Sequence, residues 1–94
     1  MYKIWLMTSA NVAKNFKDIN NINCPTCGRK TLDYLYIGDK KTKIGYLQVW
    51  CHHCSNGIHI SRVKIPEGAK MLPFDTEKDL NEIVPRYNHI TPYK

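Results

Sequence analysis

The stretch INCPTCGRKT, residues 22–31, holds two cysteines separated by two residues, with a proline between them and a glycine directly after. The stretch VWCHHCSNGI, residues 49–58, repeats that cysteine spacing. These four are all the cysteines of the chain, so the reading of two matched pairs decides its fold. Three chemistries compete for them. A disulfide framework suits exported chains, and the N-terminal apolar run at residues 4–7 is far too short for a signal-peptide core. A redox dithiol would use one pair and leave the other without a role. A metal site uses both, because two Cys-x2-Cys hooks can each supply two thiolates to one tetrahedral ion.

The neighbours of the pairs favour the metal. Pro25 stiffens the first hook, and Gly28 stands where positive φ lets backbone N–H groups turn toward sulfur. Asn56 and Gly57 are expected to supply a similar turn after the second hook. The 23 residues between Cys27 and Cys51 exceed the usual spacing slightly, but they contain the turn signal GDKKTK, which doubles the chain back. With these features residues 24–60 resemble a zinc ribbon, the rubredoxin-like family of small folds built on two Cys knuckles. That resemblance covers about 40 of the 94 residues. It implies Cys24, Cys27, Cys51 and Cys54 as ligands of one structural Zn²⁺. A closed shell of four cysteines leaves no open position for water or substrate, so His52 and His53 are expected to face outward rather than bind metal. Iron is the rival ion. Against it stand Ser55 in place of a glycine after the second pair and the basic surroundings.

Working outward from the hooks, TLDYLYI (31–37), KIGYLQVWC (43–51) and IHISRVKI (58–65) are rich in β-formers. Residues 38–42 join the first two as a hairpin. The expected architecture is small α+β, a three-stranded antiparallel sheet with short N- and C-terminal helices packed on it. Leu32, Tyr34 and Tyr36 oppose Leu35 and Ile37, while Ile44, Tyr46 and Trp50 oppose Leu47 and Val49, so both sheet faces are apolar. The apolar parity of the third strand switches between Ile60 and Val63, which predicts a bulge. The flanks would cover the second face. A helix is expected over residues 8–18, capped by Thr8 or Ser9, with Val12, Phe16 and Ile19 as its stripe. A proline-bounded linker spans 66–73. A helix capped by Thr76, with Asp79 completing a capping box, would turn Leu80, Ile83 and Val84 to the core and stop at Pro85. RYNHITPYK reads as an extended tail. The chain is thus one domain of 94 residues: a helical flank (1–20), the ribbon (21–65), and linker, helix and tail (66–94).

Composition is globular, 43% apolar and 23% charged, without a membrane span, and the location expected is cytoplasmic. Its Lys, Ile and Asn bias points to a bacterium or phage. Of the net +6, residues 1–65 carry ten basic against three acidic groups, a surplus of seven, and the remainder carries a deficit of one. A Zn²⁺ held by four thiolates carries −2 and lowers the surplus of the ribbon to about five. A basic module attracts DNA or RNA. Lys40, Lys41 and Lys43 at the hairpin, with Arg29, Lys30, Arg62 and Lys64, are the candidate phosphate contacts, or else a solubilising surface. Trp5, Trp50, Tyr34, Tyr36 and Tyr46 are either core or stacking platforms for bases. No catalytic constellation stands out, and Asp33 and Asp39 have no clear partner in the sequence. The expectation is a non-enzymatic, nucleic-acid-associated or transcription-related regulator with no small-molecule substrate. The alternative is an adaptor that docks a protein partner through Tyr87, Ile90 and Tyr93 in the tail. The third is a rubredoxin-like iron electron-transfer protein.

Overall fold

A computed structural model describes residues 1–74 and 80–92. The chain opens with helix α1 (Tyr2–Asn15), which tightens into a 3₁₀ stretch (Phe16–Asn21) before the first cysteine hook. Three long strands follow: β1 (Leu32–Gly38), β2 (Ile44–Cys51) and β3 (Asn56–Lys64). Then come a short strand β4 (Met71–Pro73), one turn of helix α2 (Leu80–Ile83) and a two-residue strand β5 (Asn88–His89). The fold is α+β, as expected, and the sheet is larger than expected. It has five strands in the order β4-β1-β2-β3-β5.

The three central strands pair antiparallel, from Leu32 opposite Cys51 at one end to Gly38 opposite Gly45 at the other. The two short strands are parallel to their neighbours, so the sheet is mixed rather than antiparallel. The physical reason lies at the edges. A three-stranded ribbon leaves a row of unpaired N–H and C=O groups on each outer strand. Residues 71–73, expected in a linker, cover β1, where Tyr36 N–H also donates to the Lys70 carbonyl at 3.1 Å. The tail covers β3, with Asn88 N–H on the Ser55 carbonyl at 2.7 Å and Ile90 N–H on the Gly57 carbonyl at 2.8 Å. Gly57 is needed there, because a Cβ would stand 2.5 Å from the Tyr87 ring.

The bulge falls where the parity switch places it. Gly45 pairs with Val63 and Leu47 with Ile60, so two residues of β3 oppose one of β2. One of them, Arg62, has φ +56°.

Each sheet face has its own core. Trp5, Ser9 and Val12 are the buried residues of α1, at helical spacing, and Trp5 and Val12 pack with Tyr34, Tyr36, Leu47, Val49 and Ile58. Leu35, Ile37, Trp50 and Val84 form the second, smaller core, with Tyr46, Leu72 and Tyr87 against it. The N-terminal helix starts about two turns earlier than expected, with Met1 rather than Thr8 or Ser9 at its cap position. Thr8 and Ser9 lie inside it, their hydroxyls donating to the carbonyls of Ile4 (2.9 Å) and Leu6 (2.7 Å). Burial of the Trp5 indole on the sheet outweighs the local capping signal. Phe16 and Ile19, the other two members of the expected stripe, pack half-buried on the same core.

Val84, just past the end of α2, is buried, but Ile83, the last residue of that helix, is 38% exposed and does not face the core. The chain leaves the helix between the two, so their side chains need not share a face. Thr76, Asp79 and the side chain of Leu80 lie outside the described residues, as does Tyr93. No helix among the described residues is long and apolar enough to cross a membrane.

Candidate metal centre

The hairpin brings the two hooks to one end of the sheet. Cys24 and Cys27 lie just before β1, Cys51 ends β2, and Cys54 lies in the turn before β3. The four Sγ atoms lie within 4.8 Å of one another. Across the hooks, Cys24 and Cys54 are 3.7 Å apart and Cys27 and Cys51 are 3.6 Å apart. A tetrahedron with 2.3 Å metal–sulfur bonds has edges of about 3.8 Å, so the donor set fits a single four-coordinate ion. The cysteines are free thiols. Neither His52 nor His53 belongs to the cluster, and both are exposed.

The two hooks are built alike. Gly28 N–H donates to the Cys24 carbonyl at 2.9 Å and Ser55 N–H to the Cys51 carbonyl at 3.0 Å. Thr26 N–H reaches Cys24 Sγ at 3.4 Å, and His53 N–H reaches Cys51 Sγ at 3.4 Å. Left-handed backbone is required at the residue after each second cysteine: Gly28 has φ +77° and Ser55 φ +60°. The sequence pointed to Asn56 and Gly57 for the second turn, but both already belong to β3. Ser55, with a Cβ in a left-handed conformation, bears a strain that glycine would not. Substitutions at these equivalent positions should therefore have opposite signs. Ser55→Gly should raise stability by about 0.5–1 kcal/mol, and Gly28→Ala should lower it by about 1 kcal/mol. The latter is a backbone effect alone, since a Cβ at Gly28 meets nothing within 4 Å. Thermal melts of the metal-loaded variants check both signs.

Electrostatics distinguish the sulfurs. Burial pushes the Cys24 thiol up to about 12, against the opposing pull of the Cys27 and Thr26 N–H groups. Burial acts on Cys51 as well, but it is outweighed by the Thr31 hydroxyl and the N–H groups of Cys54 and His53, which bring this thiol down to about 6. The Thr31 hydroxyl lies 3.0 Å from Cys51 Sγ. Cys24 therefore keeps a proton that a cation must displace, and metal affinity falls as pH falls.

Three partners of the site carry no signal in the sequence because each is distant along the chain. Thr31 is one. A second is the Trp5 indole N–H, which donates to Thr26 Oγ1 at 2.9 Å and ties α1 to the first hook. The third is Asp33, which has partners after all: Lys70 Nζ at 2.9 Å and His52 Nε2 at 3.3 Å. Burial raises its carboxyl, but Lys70, the Tyr34 N–H and His52 together hold it below the usual carboxylate range. Asp39 is a turn residue whose Oδ1 accepts the N–H groups of Lys41 (2.6 Å) and Thr42 (3.2 Å).

The candidate nucleic-acid residues separate into two groups. Arg29 and Lys30 are exposed beside the first hook, at the metal end of β1. Lys40, Lys41 and Lys43 belong to the hairpin at the far end, and the pairing of Ile44 with Lys64 brings Lys64 and Arg62 to that same end. Of the five aromatic candidates, Trp5, Trp50, Tyr34 and Tyr36 are at most 4% exposed and belong to the cores. Tyr46 is half-buried. In the tail, Tyr87 lies over Trp50 with ring centroids 6.3 Å apart and donates its hydroxyl to Gln48 Oε1 at 2.7 Å. Ile90 packs against the α1-side core. Both are engaged with the chain's own sheet.

Compared with known proteins, the chain matches no family model, no curated protein and no solved structure.

Proposed function

We propose that this is a non-enzymatic zinc-ribbon protein in which one structural Zn²⁺ holds the hooks together and the hairpin end associates with nucleic acid, in a transcription-related or similar regulatory role. Four-cysteine sites without other cofactor signals favour zinc over iron. A closed shell of four thiolates offers no coordination position for catalysis. The observation that carries the nucleic-acid reading is the gathering of Lys40, Lys41, Lys43, Arg62 and Lys64 at the end of the sheet opposite the anionic metal site. Separation of the two matters, because a −2 cluster beside the lysines would cancel part of their field.

The test is binding of random-sequence DNA and RNA at several salt concentrations. Lys/Arg–phosphate contacts release counterions, so affinity should fall steeply with salt. Replacing Lys40, Lys41 and Lys43 together with Gln should reduce the slope of log K against log salt by about 2–3 on duplex DNA, with similar weakening for all sequences. Folding should survive, since Lys40 and Lys41 are exposed and Lys43 is a turn residue. No binding at low salt removes this reading.

A protein adaptor is the second reading, and one observation favours it at a new place. Met1, Ile4, Leu6 and Met7 are 39–67% exposed on or beside α1, whereas the tail aromatic first considered for docking packs inward. Under that reading the triple lysine change has no effect on partner capture.

A further inference from the structure

Beside the hairpin, two concavities adjoin. One, of 460 Å³, is lined by Ile44, Tyr46, Arg62 and Phe74, and the other, of 410 Å³, by Lys40, Lys41 and again Phe74; Asp39 borders both, with one carboxylate oxygen accepting the Lys41 and Thr42 N–H groups. Phe74 is 61% exposed and Ile44 53% exposed. Phe74 is tilted 39° from the Tyr46 ring at a centroid distance of 6.3 Å, so the two rings are not stacked face to face. A large apolar ring thus stands between a lysine-lined hollow and an apolar hollow edged by arginine.

The backbone supports a role for the same place. Among the described residues three non-glycine positions have left-handed φ: Ser55 in the second hook, Lys43 at +60° and Arg62 at +56°. The latter two are basic and both belong to this end. Arg62 is a residue of the bulge in β3, a device that re-aims a side chain away from the sheet. Left-handed backbone at a long side chain is disfavoured, and such residues concentrate at binding sites. The required occupant is flat and apolar enough to cover Phe74 and is attached to anions that Arg62 and the lysines can meet. A nucleobase with its flanking phosphates has both properties. In a duplex the base faces are stacked away, so the base must be unpaired.

We infer that the hairpin end binds single-stranded nucleic acid, with an unpaired base on Phe74 and Tyr46 and the adjacent phosphates on Arg62, Lys40 and Lys41. This rests on the nucleic-acid reading above and goes beyond it by naming strandedness and a stacking residue, Phe74, that the lysine pattern does not contain.

The experiment is fluorescence anisotropy of the full, metal-loaded chain with three probes of equal length: a labelled oligothymidylate, the corresponding duplex, and an abasic strand that keeps the phosphates but lacks bases. The single strand should bind more tightly than either of the others. Phe74→Ala should weaken it by about 5- to 150-fold, the range of one lost base stack, and should leave duplex and abasic binding unchanged. Phe74→Trp should retain it. Because Phe74 is exposed, its loss leaves the cores intact, and an unchanged melting temperature documents this. Equal binding of all three probes, or a single-strand affinity that Phe74→Ala leaves unchanged, overturns the inference while the salt-dependent reading stands. Absence of binding to every probe at low salt overturns both. A Phe74-dependent response to an acidic Glu/Tyr peptide, with none to the single strand, overturns it in favour of a protein partner.

Discussion

Stripping the metal from this chain with a chelator should abolish cooperative unfolding, and a single cysteine substitution should do the same. Cys24 and Cys51 are 2% and 1% exposed and are members of the larger core, so the site is inside the fold rather than attached to it. A chain of this length has a net stability of order 5–14 kcal/mol. For zinc, the ion proposed here, binding to a Cys-rich structural site contributes about 10–16 kcal/mol at neutral pH, which equals or exceeds that total. The metal-free chain must also hold four sulfurs within 4.8 Å of one another with no cation between them. Cys27→Ser and Cys54→Ser should therefore behave like the stripped protein in circular dichroism melts. Metal analysis should give one ion per chain for the parent and for His52→Ala and His53→Ala. Loss of metal from either histidine variant would overturn the four-cysteine assignment, and a red protein with visible charge-transfer bands would overturn zinc.

The second large effect is expected at Trp5, on the helix that the sequence left partly unassigned. Its side chain is fully buried, and its indole N–H reaches Thr26 inside the first hook. Trp5→Ala should cost about 3–5 kcal/mol through the lost burial and the cavity left behind. For a domain of this size that lowers the melting temperature by more than about 10 °C. Trp5→Phe keeps most of the apolar contact and loses the hydrogen bond, so its cost should be nearer 1 kcal/mol. Removing residues 1–19 should uncover the whole α1-side face and cause aggregation. A melting temperature that Trp5→Ala leaves within a degree or two would mean that α1 is a separate arm, not a wall of the core.

Much of the architecture was legible along the chain because its causes are local. Cysteine spacing pointed to a metal site, since two Cys-x2-Cys hooks can each supply two thiolates to one ion, and the fold gathers the four sulfurs within 4.8 Å of one another. The three central strands and their hairpin followed from β-formers interrupted by GDKKTK. The bulge could be placed between Ile60 and Val63 because strand parity has a period of two, and a switch in it requires an extra residue. Apolar side chains on both faces required covers on both sides, and α1, Val84 and Tyr87 supply them.

What only the tertiary structure decided depends on partners far apart in sequence. The start of α1 was set by a Trp5 pocket on the sheet, not by Thr8 or Ser9. Residues 71–73 and 88–89 became strands because the edges of the three central strands hold unpaired backbone groups, a demand invisible in three- and two-residue segments of no strong β character. Left-handed backbone fell on Ser55 because the geometry of the hook, whose Ser55 N–H must reach the Cys51 carbonyl, and not residue preference, sets that φ. Five aromatic residues were equal candidates in sequence. Packing buried four of them and half-buried Tyr46, while Phe74, which was not among the five, stands exposed beside the lysines, since exposure is a property of what lies opposite a side chain and not of the side chain itself.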